Sequence, residues 1–194
     1  TVTGSGACSA VTATDNITVN ITGAPTADAG PASSTICSNG TFTAAATSSY
    51  VVSILWTTAG DGAFTDATIE DAVYTPGTTD KSNGSVVLTL TVTGAGACSA
   101  VTATDNITVN ITGAPTADAG PASSTICSNG TFTAAATASN LGSILWTTAG
   151  DGSFTDATIE DAVYTPGATD ISNGSVVLTL TVTGAGACSA VTAT

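Results

Sequence analysis

Histidine, arginine, methionine and glutamine are missing from this 194-residue chain, and lysine occurs once, at Lys81. Without histidine there is no Ser–His or Cys–His pair to activate a nucleophile, and no catalytic constellation stands in its place, so the chain reads as non-enzymatic. Widely spaced cysteines with no histidine and no Cys-x-x-Cys pair do not make a zinc site. One base against 14 acids leaves a net charge of −13. A surface of that sign repels nucleic acid and anionic membranes, which are bound through Lys and Arg. Because Lys81 is not repeated, a lysine crosslink in every repeat is excluded as well. No apolar run reaches the roughly 18 residues of a membrane helix, which excludes direct insertion. The chain opens in mid-strand without a leader pattern, so any targeting segment is expected outside this stretch.

What the chain does have is period-two alternation. From Val101 to Ile111 the odd positions are Val101, Ala103, Asp105, Ile107, Val109 and Ile111, and the even ones are Thr and Asn. Side chains on a strand alternate between faces, so this is a strand with one apolar and one hydroxyl-rich face. Asp105 intrudes on the apolar face, and a bulge or break is expected there. Leu88, Leu90 and Val92 alternate with threonines in the same way, and a Gly-rich turn carrying Cys98 joins the two strands.

The sequence repeats with a period of 91 − 1 = 90 residues, with eight differences between residues 1–90 and 91–180. Four of them cluster at Ser48/Ala138, Tyr50/Asn140, Val51/Leu141 and Val52/Gly142, and this stretch is read as a loop and a candidate contact surface. Ninety residues suit a small self-contained β domain better than a solenoid repeat. Boundaries at Gly23–Pro25 and Gly113–Pro115 divide the chain in three. Residues 1–23 carry the last strand or strands of a truncated preceding module. Residues 24–113 form a complete module. Residues 114–194 form a module lacking most of its last strand. Within a module, short runs separated by Gly, Asn, Asp and Pro read as about seven strands with no helical pattern. Residues 41–47 (Phe42, Ala44 and Ala46 inward) and 53–58 (Ile54 and Trp56 inward) are two of them, and residues 80–84 read as a polar turn. The fold class is therefore all-β: tandem immunoglobulin-like antiparallel sandwiches with a 90-residue repeat. Trp56 and its copy Trp146 fall on the third strand and are assigned to the core.

The segments TADAGPASSTICSNGTFT, SILWTTAGDG, AVYTPG and VVLTLTVTGAGACSA resemble the tandem PKD-like and Ig-like repeats of giant secreted surface proteins, of the adhesin and gliding-associated type found in Bacteroidota. The resemblance spans the whole repeat. Its most specific marks are Trp56 followed by Gly60-Asp61-Gly62, and the Cys37/Cys98 pair. It implies an extracellular, cell-surface array of spacer or adhesive domains, without catalysis.

In an extracellular setting disulfides are the default. Pairing Cys37 with Cys98 and Cys127 with Cys188 would staple each sandwich and leave Cys8 unpaired in this stretch. In Ig topology, however, Cys37 lies at the bottom of a module and Cys98 at its top, so Cys37–Cys188 across the module junction is the alternative. Lateral links between chains are a third.

Two further sets of residues remain. The acids Asp61, Asp66, Glu70 and Asp71, with their copies Asp151, Asp156, Glu160 and Asp161, are weak Ca²⁺ ligand candidates, since hard oxygen donors suit that ion; no other cofactor is expected. Asn16, Asn20, Asn39, Asn83, Asn106, Asn110, Asn129 and Asn173 sit in Asn-X-Ser/Thr and are possible glycan acceptors. The function expected is a structural surface filament, stalk or adhesin shaft. Its partners are further copies of the same module and like chains in a filament, with a surface glycan or protein ligand unidentified. The alternatives are a carbohydrate-binding or Ca²⁺-dependent adhesion array, and a strand-exchange filament in which residues 11–22 complete the sheet of a neighbouring chain.

Overall fold

The computed structural model describes residues 1–9 and 11–194, and of Cys8 the backbone alone. Residues 26–112 form one β-sandwich. Its larger sheet has four strands in the order Ser33–Cys37, Thr102–Thr112, Ser85–Gly94, Val51–Thr58. All neighbours are antiparallel except Ser33–Cys37, which runs parallel to Thr102–Thr112. The opposite layer is made of shorter pieces: Thr26–Asp28 with Thr47–Ser49, and Phe42–Thr43, Val73–Thr75 and Ala63–Phe64. This is immunoglobulin-like strand order, with the first strand split between the layers.

The alternating apolar face produces the core. Leu88, Leu90, Val92, Ile107 and Val109 from the long hairpin meet Phe42, Ala44, Ala46 and Tyr74 from the other layer around Trp56, which is 2% exposed. Small alanines opposite the indole leave it room, and its Nε1 donates to the Ile69 carbonyl at 3.2 Å. Phe64 stacks between Trp56 and Tyr74, with ring centroids 5.9 and 4.9 Å away.

Three expectations are corrected. Asp105 causes no bulge, because the ladder runs through it opposite Leu90. Its Oδ2 instead accepts the backbone N–H of buried Ala29 at 2.8 Å, joining the last strand to the other layer. The register shift falls at Thr93/Gly94. The polar turn at residues 80–84 is the end of a one-and-a-half-turn helix, Thr78–Asn83. Asp80 at its third position accepts the N–H of Gly77, and Gly84 closes it at φ 74°. The segment around residues 48–53 is a sharp corner between Thr47–Ser49 and Val51–Thr58, turned by Tyr50 at φ 53°.

Residues 116–193 form a second sandwich of the same plan with fewer strands. Its larger sheet is Leu141–Thr148, Leu178–Gly184 and Thr192–Ala193. The counterparts of Ser33–Cys37 (residues 123–127) and of residues 85–87 (residues 175–177) are not in strands. In front of the first sandwich, Val2–Thr3 pairs with Thr12–Ala13, and residues 14–25 run on without strand pairing.

Candidate functional site: the joint between the sandwiches

The last strand of the first sandwich ends at Thr112 and the second sandwich begins at Thr116, so three residues connect them. The sequence makes this connection stiff. Pro115 fixes one φ and is buried. Ser38 clamps the other side: its N–H donates to the Thr112 carbonyl at 2.8 Å, and its Oγ accepts the Ala114 N–H at 3.0 Å. From the second sandwich, Asn140 Nδ2 donates to the Ala114 carbonyl at 3.0 Å. Asn140 sits at φ 52°, in the left-handed region that asparagine tolerates better than most residues. The equivalent Tyr50 packs its ring against Gly23, where a Cβ would have no room. The positions that differ most between copies therefore lie at the ends of the sandwiches, facing the connection.

A disulfide closes the joint. Cys37, at the end of a strand in the first sandwich, is bonded to Cys188, in the 3₁₀ turn Gly186–Cys188 of the second, with Cα atoms 4.9 Å apart. The Cys37–Cys98 and Cys127–Cys188 staples are thereby corrected. Cys98 and Cys127 are free thiols. The physical reason is the one the topology supplies: the two cysteines of one sandwich lie at opposite ends, while those of successive sandwiches meet. Cys188 Sγ lies 3.5 Å from the Thr112 carbonyl and 3.3 Å from that of Gly113. Cys98 holds the matching place over the preceding connection, its S–H directed at the Thr22 carbonyl at 3.6 Å. The expectation that Cys8 is unpaired in this stretch falls outside the described side chains.

The acidic candidates are engaged locally. Asp61 accepts the N–H groups of Thr79 and Asp80 at 2.9 and 3.1 Å, and the Thr79 bond above all holds its carboxyl at about 2. Asp151 is lowered for the same reason. Asp66 and Asp156 cap the hydroxyl and N–H of Thr68 and Thr158, which lowers both. Glu70 accepts the Ser48 hydroxyl and Glu160 the Ala138 N–H. Asp71 and Asp161 flank them, and among the described residues no three acidic or cysteine side chains converge on a common point where an ion could sit. All eight Asn-X-Ser/Thr asparagines are exposed. Both tryptophans are buried, so neither offers a face for stacking on a sugar.

In the sequence Asp80 and its copy Asp170 stand with the other turn acids, and the buried role of Asp80 is not legible there. It is 1% exposed, and its carboxylate gathers the Tyr74 hydroxyl at 2.6 Å and the N–H groups of Gly62, Gly77 and Asp61 at 3.1, 3.1 and 3.3 Å. A Cβ on Gly60 would collide with it. Gly60-Asp61-Gly62 followed by Tyr74 and Asp80 at fixed offsets in both copies was the available signal. The role is structural: the cluster fastens the helix to the sandwich.

No known protein family matches the sequence, and neither does any curated protein. Among solved structures, the chain is similar to the D00–D0 domain of intimin, at 11% identity and a TM-score of 0.38, over 88% of this chain and 96% of that one.

Proposed function

We propose that this chain is a structural, non-catalytic segment of an extracellular shaft, a surface filament or adhesin stalk in which sandwiches of one type are locked end to end. The observation that carries this reading is the joint. A connection of three residues, clamped by Ser38 and Asn140, is doubled by the Cys37–Cys188 bond. Such a joint resists bending and gives tension two covalent routes between neighbours. A disulfide of this kind persists in an oxidising compartment such as the cell exterior.

The strand arrangement supports the same reading. Residues 33–37 run parallel to 108–112, so tension entering near residue 24 and leaving near residue 112 shears their ladder. Breaking it requires several hydrogen bonds to fail together. The high negative charge keeps such an object soluble and away from anionic surfaces.

Immunogold labelling of intact producing cells tests the location, and labelled surface fibres are expected. Single-molecule stretching tests the mechanics. The oxidised chain should extend only by unfolding of sandwiches, and the reduced chain should show added compliance at the joint. Labelling confined to the cell interior would sink the proposal.

A further inference from the structure

The Cys37–Cys188 bond does more than close the joint, because of where its two residues lie in the chain. Of the first sandwich, only Thr26–Asp28 and Ser33–Cys37 come before the bond. In the second, the strand that starts at Thr192 comes after it. Both tryptophans, both aspartate clusters, the long hairpin and the connection itself fall within the 151-residue separation of the two cysteines.

We propose that this bond is a redox latch that shields both sandwiches from tension. While it is closed, load passes from Ser33–Cys37 through the two sulfurs into the strand that starts at Thr192, and residues 38–187 lie off the load path. Once it is reduced, the load runs through residues 38–187 and the pair of sandwiches becomes extensible. This deepens the shaft reading and rests on it only for the source of the tension. Three features of the joint carry it.

The first is covalent. However far residues 38–187 unfold, an intact bond holds Cys37 and Cys188 together, 4.9 Å apart at their Cα atoms in the fold. Unfolding inside the loop yields no length, so tension does not favour it.

The second is slack. The residues that stay on the load path are already drawn out. Thr26–Asp28 and Ser33–Cys37 are strands, which rise about 3.3 Å per residue, close to the most a chain can reach. The turn between them, with Gly30 at φ 95°, supplies what little length remains. The unfolding open to the oxidised chain is thus confined to peeling these two strands from their partners. Opening the latch changes which bonds resist. The load then enters residue 38, and the parallel ladder of Ser33–Cys37 on residues 108–112 has to shear.

The third is shelter. Cys37 and Cys188 are 6% and 0% exposed. Cys188 Sγ lies against the carbonyls of Thr112 and Gly113, and Ser38 and Asn140 hold the same connection through Ala114. A reducing thiolate has to reach one of the two sulfurs, so the joint must open before the latch does. A dithiol then supplies two electrons. Its first sulfur displaces one cysteine and forms a mixed disulfide, and its second displaces the other cysteine and closes a cyclic disulfide. The two protons lost by the dithiol end on Cys37 and Cys188.

The whole chain, with Cys8→Ala, Cys98→Ala and Cys127→Ala so that one cysteine pair is left, is stretched between handles at its two ends in optical tweezers. The contour length released on full unfolding should rise by roughly 500 Å when dithiothreitol is added, the span of the 151-residue separation at about 3.3–3.6 Å per residue. Cys188→Ser in the same background should give the longer value with or without the reductant. Dithiothreitol added to one oxidised molecule under tension should produce the same step in place, which keeps the test independent of how that variant folds. Ser38→Ala with Asn140→Ala should speed reduction of the unloaded chain several-fold. Equal lengths before and after reduction, or sandwich-sized steps in the oxidised chain, overturn the shielding. A reduction rate unmoved by the double variant overturns the shelter. The shaft reading fails on a different result, labelling confined to the cell interior, which leaves these lengths as they are; equal lengths in turn leave surface labelling untouched.

Discussion

Cys37 and Cys188 are 151 residues apart in the chain and 4.9 Å apart at their Cα atoms, joining the base of one sandwich to the top turn of the next. Closing a loop of that length removes entropy worth about 5 kcal/mol from the unfolded chain, realised in full when both sandwiches unfold together. Cys188→Ser is therefore expected to lower the thermal midpoint in oxidising buffer and to leave it unchanged in reducing buffer. Peptide mapping under non-reducing conditions should recover Cys37 with Cys188. Recovery of Cys37 with Cys98 would contradict this joint.

Asp105 is expected to matter more than a strand-face aspartate ordinarily does. Its Oδ2 is the acceptor for the N–H of Ala29, a residue with no exposed surface. The bond also holds its carboxyl below the usual range. Asp105→Ala leaves a buried donor without its acceptor, which costs about 1–3 kcal/mol. Asp105→Asn keeps an oxygen in place and should cost less. Urea unfolding of the three proteins checks the order, and equal midpoints for wild type and alanine variant would refute it.

These two cases show what was legible beforehand. Alternation announced the strands and the inward set Phe42, Ala44, Ala46 and Trp56, because burial on one face leaves a period-two record in the sequence. Asp105 interrupts that record and so points to a bulge or a break, since its partner Ala29 is 76 residues away and leaves no local mark. The helix Thr78–Asn83 is too short to show a period, and its capping residues Asp80 and Gly84 look like those of a turn. The cysteine spacing was visible, but its pairing depends on which ends of the sandwiches meet. Only the strand order reveals that.

The cluster around Asp80 predicts a graded series. Its carboxylate is the common acceptor for the Tyr74 hydroxyl and three backbone N–H groups. Asp80→Ala orphans several donors at once and should destabilise the first sandwich by at least about 3 kcal/mol. Asp80→Asn retains one acceptor oxygen and should fall between. Gly60→Ala places a methyl group against the same carboxylate and against Val86, so it should be nearly as damaging as the loss of Asp80 itself. Denaturant melts, with the unchanged Asp170 cluster of the second sandwich as internal reference, measure the series. A Gly60→Ala protein as stable as wild type would show that the site is not packed as described.

Stability should fall off on both sides of a broad pH plateau, for separate reasons. Asp61 titrates near 2 when folded, against an ordinary 3.8, because the Thr79 and Asp80 N–H groups hold its charged form. A lowered folded value means the unfolded chain takes up the proton first. The contribution of Asp61 is therefore complete above about pH 4 and lost as pH falls toward 2. Tyr74 runs the other way: burial first, then its bond to Asp80, raises it from 10 to about 12. Its contribution is complete below about pH 10 and lost as pH rises toward 12. Asp151 and Tyr164 shift in the same directions in the second sandwich, so paired variants are needed. Asp61→Asn with Asp151→Asn should shorten the acid limb of the thermal midpoint against pH, the rest of which belongs to Asp66, Asp105 and Asp156, and should leave the alkaline limb. Tyr74→Phe with Tyr164→Phe should flatten the alkaline limb and, because the Tyr164 hydroxyl also holds Asp170 low, take a smaller part of the acid limb with it. An acid limb unchanged by the first pair, or an alkaline limb unchanged by the second, would show that these groups do not set the pH range of the fold.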